Sequence, residues 1–373
     1  MQKRILHVMA IGTTAKHLIL PQARRAQQQG YTVGFAFSAE REVTTELQAE
    51  GFDVLHVDIA RTVSLWKDYR AVKQLVALIE QWKPDIVHTH TSKGGAVGRI
   101  AAKLYGCTKI IHTVHGFPFI AGQSLGLYWA YVAIEMVLAK FCTDMLLSQS
   151  SEDVAIGKKY GICARGKMLT HIGNGVDIER FRKQRQSVNL AIPLLITVAR
   201  LTPEKGLIEL LQALNVVKDL AWHLQLVGSE EVLGYKTVLE THACTYGIRD
   251  RIEFLGPRDD VDVLLGGAKW KILPSCREGV PRSLIEAHAT GVPAVTTNVR
   301  GCREVVYDGV TGFIVPPRDS LALANALRRA LTISSEQYSA MSQAASSRAQ
   351  MFFDEEVVVG RIMSAYESVM AQT

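Results

Sequence analysis

The chain has no paired cysteines. Cys107, Cys142, Cys163, Cys244, Cys276 and Cys302 are scattered, with no CxxC among them. That spacing excludes a zinc-finger scaffold and offers no disulfide framework, so a reducing, cytoplasmic setting is expected. A cleavable leader is also missing from the expectation. Gln2-Lys3-Arg4 and the apolar run from Ile5 to Ile11 imitate one, but the run stops at Thr13-Thr14, Lys16 and His17 follow, and no A-x-A pattern comes after. A first buried strand explains the run better. Residues 110–134 contain no Asp, Glu, Lys or Arg, yet His112, His115, Gly116, Pro118, Gly122, Gln123 and Gly126 interrupt them. They therefore read as a strand, a loop and the start of an amphipathic helix, not as a continuous membrane span. Internal repeats and low-complexity tracts are absent.

Acidic residues fall short in one half only. Residues 1–180 hold 21 Lys and Arg against 15 Asp and Glu, and the remainder is balanced at 21 of each, so the net +6 lies in the N-terminal half. A basic half suits an anionic partner, either a membrane surface or a phosphate-bearing acceptor, although scattered, solvated lysines give the same count. Nucleic acid is not an expected partner. With 373 residues, 48% hydrophobic and 21% charged, the chain is of soluble globular type and too long for one ordinary core.

Short β-rich apolar runs alternate with longer helical patterns. Residues 5–11, 32–37, 86–89, 109–114 and 145–148 read as strands, with helices at 18–29, 65–82 and 95–105. The rhythm restarts after a basic, polar stretch at 180–189, with strands at 193–198, 222–227, 251–255, 270–273 and 294–297 and a helix at 206–217. This alternation is the pattern of βαβ units on a parallel sheet. The expectation is an α/β chain of two Rossmann-like, doubly wound domains, 1–182 and 183–350, with ligand at the carboxyl ends of the strands. Val358, Ile362, Met363, Tyr366, Val369 and Met370 keep a helical period, so residues 351–373 are expected to form a helix crossing back onto the first domain.

Two stretches carry chemistry. Residues 274–287 read Pro-Ser-Cys-Arg-Glu-Gly-Val-Pro-Arg-Ser-Leu-Ile-Glu-Ala, with Glu278 in a Gly/Pro loop and Glu286 inside the helix that follows. An early carboxylate can meet sugar hydroxyls. The amides at the helix start, near Ser283, can face a diphosphate, and a carboxylate about two turns in can reach a ribose diol. Residues 197–206 read Thr-Val-Ala-Arg-Leu-Thr-Pro-Glu-Lys-Gly, after a buried strand and before a helix. They place Arg200, a bidentate fork, and Lys205, a mobile point charge, on one loop, both suited to pyrophosphate oxygens.

Residues 274–287 resemble the E-x7-E motif of the retaining glycosyltransferases of GT-B fold, in particular glycosyltransferase family 4. Other stretches match in order: 172–177 (Ile-Gly-Asn-Gly-Val-Asp), 226–228 (Leu-Val-Gly), 254–258 (Phe-Leu-Gly-Pro-Arg), 301–304 (Gly-Cys-Arg-Glu) and 308–313 (Asp-Gly-Val-Thr-Gly-Phe). The resemblance runs across nearly the whole chain and is similar to bacterial exopolysaccharide and lipid-linked oligosaccharide enzymes. It implies two domains facing across a cleft, the first binding acceptor and the second a nucleotide sugar. It implies catalytic roles for Glu278, His115, Arg200 and Lys205, with Arg200 and Lys205 neutralising the departing diphosphate and His115 contacting the transferred sugar. Donor contacts would come from Gly12, Gly228, Arg258 (mainly through its main chain), Gly279, Val280, Pro281 and Glu286. Thr13, Lys16, Lys93 and Phe117 fall on the acceptor side. Many relatives carry two glycines in the loop after the first strand, whereas residues 11–16 (Ile-Gly-Thr-Thr-Ala-Lys) hold one.

Two patterns imitate metal sites. His88 and His90, with His112 and His115, have spacings that permit ligation, but no carboxylate or cysteine of matching pattern accompanies them, and strand-end histidines commonly line pockets. Asp260-Val261-Asp262 looks like a D-x-D motif but stands where acidic residues cap and begin a helix. No metal and no other cofactor is expected, the substrates being a UDP-sugar donor and a saccharide or polyprenyl-diphosphate-linked acceptor. UDP-glucose is the first choice of donor and a UDP-N-acetylhexosamine the second. Leu125 to Phe141, with Tyr128, Trp129, Tyr131 and Val132 near Lys140, is a candidate for weak contact with an anionic membrane, the inner face of the bilayer being the implied place. A nucleotide-sugar 2-epimerase of the same fold, a related phosphorylase, and a catalytically silent nucleotide-binding module are the alternatives.

Overall fold

The computed structural model describes residues 2–60, 62, 64–107, 109–119, 123–162, 169–185 and 192–371. Cys163 and residues 186–189 of the basic stretch lie outside the described residues.

The chain divides into two compact units. One comprises Met1–Gly173 together with Val358–Thr373, the other Asn174–Val357. The dividing point thus falls before, not after, the short helix Ile178–Arg182. Residues 174–182 are tied to the second unit. The Asn174 side chain donates to the Val280 carbonyl at 2.7 Å, and the Arg180 guanidinium grips Asp262 at 2.9 and 3.1 Å. The return to the first unit begins at Val358, not 351, because Phe353 at the end of helix Ser335–Phe353 is buried in the second unit's core.

In the first unit, strands β1 (Arg4–Val8), β2 (Thr32–Phe37), β3 (Asp53–His56), β4 (Ile86–His90), β5 (Ile110–Val114), β6 (Met145–Ser148) and β7 (Thr170–His171) form one parallel sheet. Its order is β3-β2-β1-β4-β5-β6-β7. The order reverses between β1 and β4, the place where doubly wound sheets hold their ligands. In the second unit β8 (Leu194–Val198), β9 (His223–Val227), β10 (Ile252–Gly256), β11 (Trp270–Leu273), β12 (Ala294–Thr297) and β13 (Gly312–Val315) follow the order β10-β9-β8-β11-β12-β13, again parallel. Here the reversal lies between β8 and β11.

Central strands covered on both faces read as continuous buried runs. Ile86–His90 and Ile110–Val114 are buried at every position. Each unit has its own apolar core. Leu210, Leu214, Trp222 and Trp270 anchor the second, and Ile5, Phe35, Ile111 and Tyr366 the first. Each fully buried large side chain contributes about 1.5–3 kcal/mol by leaving water.

The β1 strand ends at Val8, three residues short of the apolar run. Helix begins at Gly12, well before residue 18, as a turn at Gly12–Thr14, a wide π turn at Ala15–Ile19 and an α-helix at Leu20–Gln28. Pro21 cannot donate a backbone hydrogen bond, and the widened turn ahead of it absorbs that loss.

Candidate active site

The second unit collects most of the expected donor residues on the loops after β8 and β11. Lys205 ends a short 3-10 turn, Pro203–Lys205, and its Nζ lies 2.7 Å from Glu278 Oε1. Ser275 donates its hydroxyl to the same oxygen at 2.7 Å. Both charged side chains are about nine-tenths buried. Arg200 is half exposed and pairs with Glu231 at 2.6 Å and Glu204 at 3.2 Å. The structure therefore brings Lys205 and Glu278 together and leaves Arg200 on a neighbouring acidic pair.

Close backbone packing fixes these loops. Gly206, next to Lys205, has φ +67° and a Cβ there would stand 2.1 Å from the Pro274 carbonyl. Gly228 follows β9 with φ +147°, and a Cβ would come within 1.9 Å of the Ala199 carbonyl. Side chains are excluded at both positions.

Gly279, Val280 and Pro281 lead into the helix Arg282–Ala289. Val280 is buried, and its carbonyl takes the Asn174 amide. Pro281 is the N-cap and no side chain caps the first amides, so the dipole end is open to an anion. Glu286, deep in this helix, is raised above the usual carboxylate range by burial, with Arg282, Lys271 and Arg180 opposing. Arg282 Nε approaches it at 3.7 Å and otherwise holds the Gly175 carbonyl at 2.6 Å.

Arg258 is exposed, and its guanidinium clasps Asp260 at 2.6 and 2.8 Å. Asp260 does stand at the N-cap of helix Val261–Gly267, yet its side chain accepts no capping bond. The guanidinium fork is the stronger partner, and Asp262 is likewise taken by Arg180.

Lys271 was not singled out from the sequence. It is fully buried in β11, donates to the Val198 carbonyl at 3.3 Å, and burial lowers its pKa to about 7, with Glu286 and Glu278 opposing. A lysine inside the run Trp270-Lys271-Ile272-Leu273 was the available signal.

In the first unit Gly12 and Thr13 donate their backbone amides to the Glu40 carboxylate at 2.8 and 3.1 Å. Glu40, also missed, thus takes the anion position that the resemblance gave to a ligand. A Cβ at Gly12 would meet the Phe37 ring at 2.6 Å, which accounts for the one glycine kept in this loop. Lys16 pairs with Glu46 at 2.9 Å and Lys93 with Asp68. Phe117 is buried and stacks on Phe119 at 4.7 Å, so its place is in the core and not on an acceptor-facing surface.

His7 joins the histidines of β4 and β5. His7, His88 and His90 offer ligand atoms within 4.8 Å of one another, all buried. Both His88 nitrogens are already engaged, by Tyr366 Oη at 2.7 Å and Thr113 Oγ1 at 2.8 Å. His90 bonds His7 at 3.0 Å and His115 at 3.3 Å. A metal ion here would have to break this network. Burial lowers His7 to about 3 and His115 to about 4, the latter with Gln149 opposing, and holds His88, His90 and His112 well below the ordinary value. All five are neutral at pH 7.

The helix Leu125–Cys142 is long and apolar enough to cross a membrane by composition, and 22% of it is buried. Its Glu135 pairs with the fully buried Arg99 at 2.9 Å. Val132 faces inward and Tyr128 bonds Tyr160 at 2.9 Å, whereas Leu125, Leu127, Trp129, Ile134, Met136, Val137 and Phe141 are exposed. The outward face is thus drawn from partly different residues than the sequence indicated. A hollow of about 640 Å³ is lined by Ser38, Asp58, Lys67, Arg70 and Gln74.

Comparison with known proteins places this geometry. Residues 179–348 match the family described as Glycosyl transferases group 1, and residues 7–150 match Glycosyl transferase 4-like. The chain is 31% identical over 286 residues, 73% of its length and 72% of the relative's, to a UDP-Gal:alpha-D-GlcNAc-diphosphoundecaprenol alpha-1,3-galactosyltransferase of Escherichia coli. It is 29% identical to the putative glycosyltransferase EpsD of Bacillus subtilis, covering 88% and 87% of the two chains. Among solved structures it resembles Anabaena Alr3699/HepE in complex with UDP and glucose, with TM-score 0.81, 22% identity and 98% and 100% coverage. A Rickettsia africae glycosyltransferase gives TM-score 0.83, 19% identity and full coverage of both chains.

Proposed function

Because this chain belongs to the group 1, family 4 glycosyltransferases of GT-B fold, we propose that it transfers a hexose from a UDP-sugar, with retention of anomeric configuration and without metal, to a polyprenyl-diphosphate-linked saccharide or polysaccharide precursor. The observation that carries this reading is the Lys205–Glu278–Ser275 cluster beside the uncapped start of helix Arg282–Ala289. When the sugar's C1–O bond breaks, the electron pair leaves with the diphosphate. Lys205, Arg200 on releasing its acidic partners, and the helix amides near Ser283 would take that charge, the task a divalent ion performs elsewhere. Glu278 would hold sugar hydroxyls and, by the resemblance, His115 a primary hydroxyl, while the acceptor oxygen joins C1 on the face the diphosphate leaves and passes its proton to the departing phosphate oxygen. Glu286 would bind the ribose diol. Gly228 and the main chain at Arg258 would border the nucleotide.

UDP-glucose is the first donor to test. UDP-N-acetylhexosamine and, from the name of the Escherichia coli relative, UDP-galactose are the comparisons. That name also carries a diphosphoundecaprenol acceptor, which supports the lipid-linked class. Lys67 and Arg70 in the 640 Å³ hollow, with Leu65 and Trp66 exposed on the same helix, suit such an acceptor's diphosphate and its lipid. The apolar face of Leu125–Cys142 supports weak, peripheral membrane contact, its Arg99–Glu135 pair holding that helix to the unit.

The test is transfer from each UDP-sugar to a polyprenyl-diphosphate saccharide, with EDTA present, and NMR of the product. An axial donor should give an axial product at an unchanged rate in EDTA. Inverted product would overturn retention, and activity restored only by manganese would overturn metal independence. Conversion of the UDP-sugar without acceptor would point to the epimerase alternative.

A further inference from the structure

His115 does not stand alone in the first unit: it ends a file of imidazoles. His7 Nδ1 lies 3.0 Å from His90 Nε2, and His90 Nδ1 lies 3.3 Å from His115 Nε2. The rings overlap as well, with centroids of His7 and His90 at 5.2 Å and of His88 and His90 at 4.2 Å. His7 is backed by the Phe35 ring at 5.4 Å, and His88 is tethered by Tyr366 and Thr113.

A neutral imidazole has one N–H and one bare nitrogen. With both His90 nitrogens engaged by other imidazoles, the protons of all three rings must point the same way along the file. Two directions exist, and each leaves one N–H at an end. Neither His7 Nε2 nor His115 Nδ1 has a partner at normal hydrogen-bond distance. The ends nevertheless differ. His7 Nε2 belongs to a fully buried ring between Phe35 and His88, where a stranded N–H leaves its desolvation uncompensated. At the other end the His115 ring is only partly buried, and Gln149 acts on its pKa as an acceptor does.

We propose that His7 and His90 are positioning residues that fix the His115 tautomer. His7 Nδ1–H donates to His90, His90 Nδ1–H donates to His115 Nε2, and His115 is left with its proton on Nδ1, a hydrogen-bond donor toward Gln149 or a bound hydroxyl. The proposal rests on the reading of His115 as a sugar contact for its functional meaning, but the tautomer itself does not.

The test is nitrogen-15 NMR of the full chain with labelled histidines at pH 7.5, with the His115 signals assigned by their loss in His115→Gln. The expected spectrum has a protonated Nδ1 and a bare Nε2 at His115. In His90→Leu the constraint is cut, and His115 should shift toward the Nε2–H form that free imidazole favours. In the same variant kcat should fall about tenfold, with KM for the UDP-sugar changed less than threefold. A wild-type His115 protonated at Nε2 overturns the proposal without any variant. So does one equivalent of zinc retained by the purified chain and lost in His7→Phe, because three metal ligands cannot keep the N–H···N bonds. If the Nδ1–H form is found but His115→Ala transfers sugar normally, the file stands and the catalytic reading of His115 falls.

Discussion

Lys205 and Glu278, 73 positions apart in sequence, meet at 2.7 Å with about a tenth of each side chain exposed. Each is the other's charge partner, and on the proposed reading an arriving diphosphate would compete with the carboxylate for the lysine. On that reading Glu278→Gln would free Lys205 for phosphate while removing the sugar contact. It should lower turnover by on the order of 10²-fold yet leave UDP affinity within a few-fold. Glu286→Gln should do the opposite, weakening UDP by roughly 1.5–3 kcal/mol through the lost charge-assisted bond to ribose. Calorimetric UDP titrations beside initial rates decide this, and equal loss of UDP affinity in both variants would show the two roles to be misassigned.

Lys271 gives a stability signature of its own. Burial lowers its pKa from 10.5 to about 7. Between those values the unfolded chain holds a proton that the folded chain does not, so stability rises with pH from 7 to 10.5 and the full cost is felt below 7. Lys271→Met should therefore raise the melting temperature most at pH 6–7 and progressively less toward pH 10. Each pKa unit corresponds to about 1.4 kcal/mol. Thermal melts across that range check it, and a uniform change at every pH would count against a buried, titrating lysine.

The histidines make the first unit acid-labile. Their folded pKa values lie below the ordinary 6.5, at about 3 for His7 and about 4 for His115. As pH falls below 6.5 the unfolded chain takes up protons that the folded chain refuses, so stability drops between pH 6.5 and 4. The slope should approach several protons, each about 1.4 kcal/mol per pH unit, and His7→Phe should reduce it by up to one. Urea midpoints from pH 7 to 4.5 measure it. A flat profile would mean that these imidazoles take up protons without unfolding.

Membrane contact should depend on the exposed face of Leu125–Cys142. Wild-type chain should sediment with anionic vesicles at low salt and be released as salt rises, each nearby basic residue giving about 1 kcal/mol at most. Trp129→Ser with Phe141→Ser should weaken that partition at least tenfold without altering turnover on a soluble acceptor. Equal sedimentation of both proteins would assign the attraction to charge alone.

The two parallel sheets were legible because buried strands are long apolar runs set between helical periods. The short edge strands Asp53–His56 and Thr170–His171 were not, since they carry two apolar residues and none, and Gly312–Val315, apolar after its glycine, is only four residues long. Glu278, Lys205 and Glu286 could be singled out from their motif context and the family resemblance it carries. The pairing of Lys205 with Glu278 could not, because it depends on how two loops 73 residues apart cross. His7, Glu40 and Lys271 act through neighbours on other strands or helices, and nothing local marks them beyond a polar letter in an apolar run. Phe117 shows the reverse error, where a motif position turned out to serve packing.

Tyr366, whose hydroxyl meets His88 at 2.7 Å, is supplied by a stretch that the ribosome makes only after the whole of the second unit. The second unit is one unbroken piece, Asn174–Val357, and can complete itself during synthesis. The first unit must wait for the segment that begins at Val358, leaving His88 without one of its two partners until the second unit has been made. The usual order, in which the N-terminal part folds first, is thereby inverted. A nascent chain stalled shortly before Val358 should resist protease in its second half while its first half is still cut.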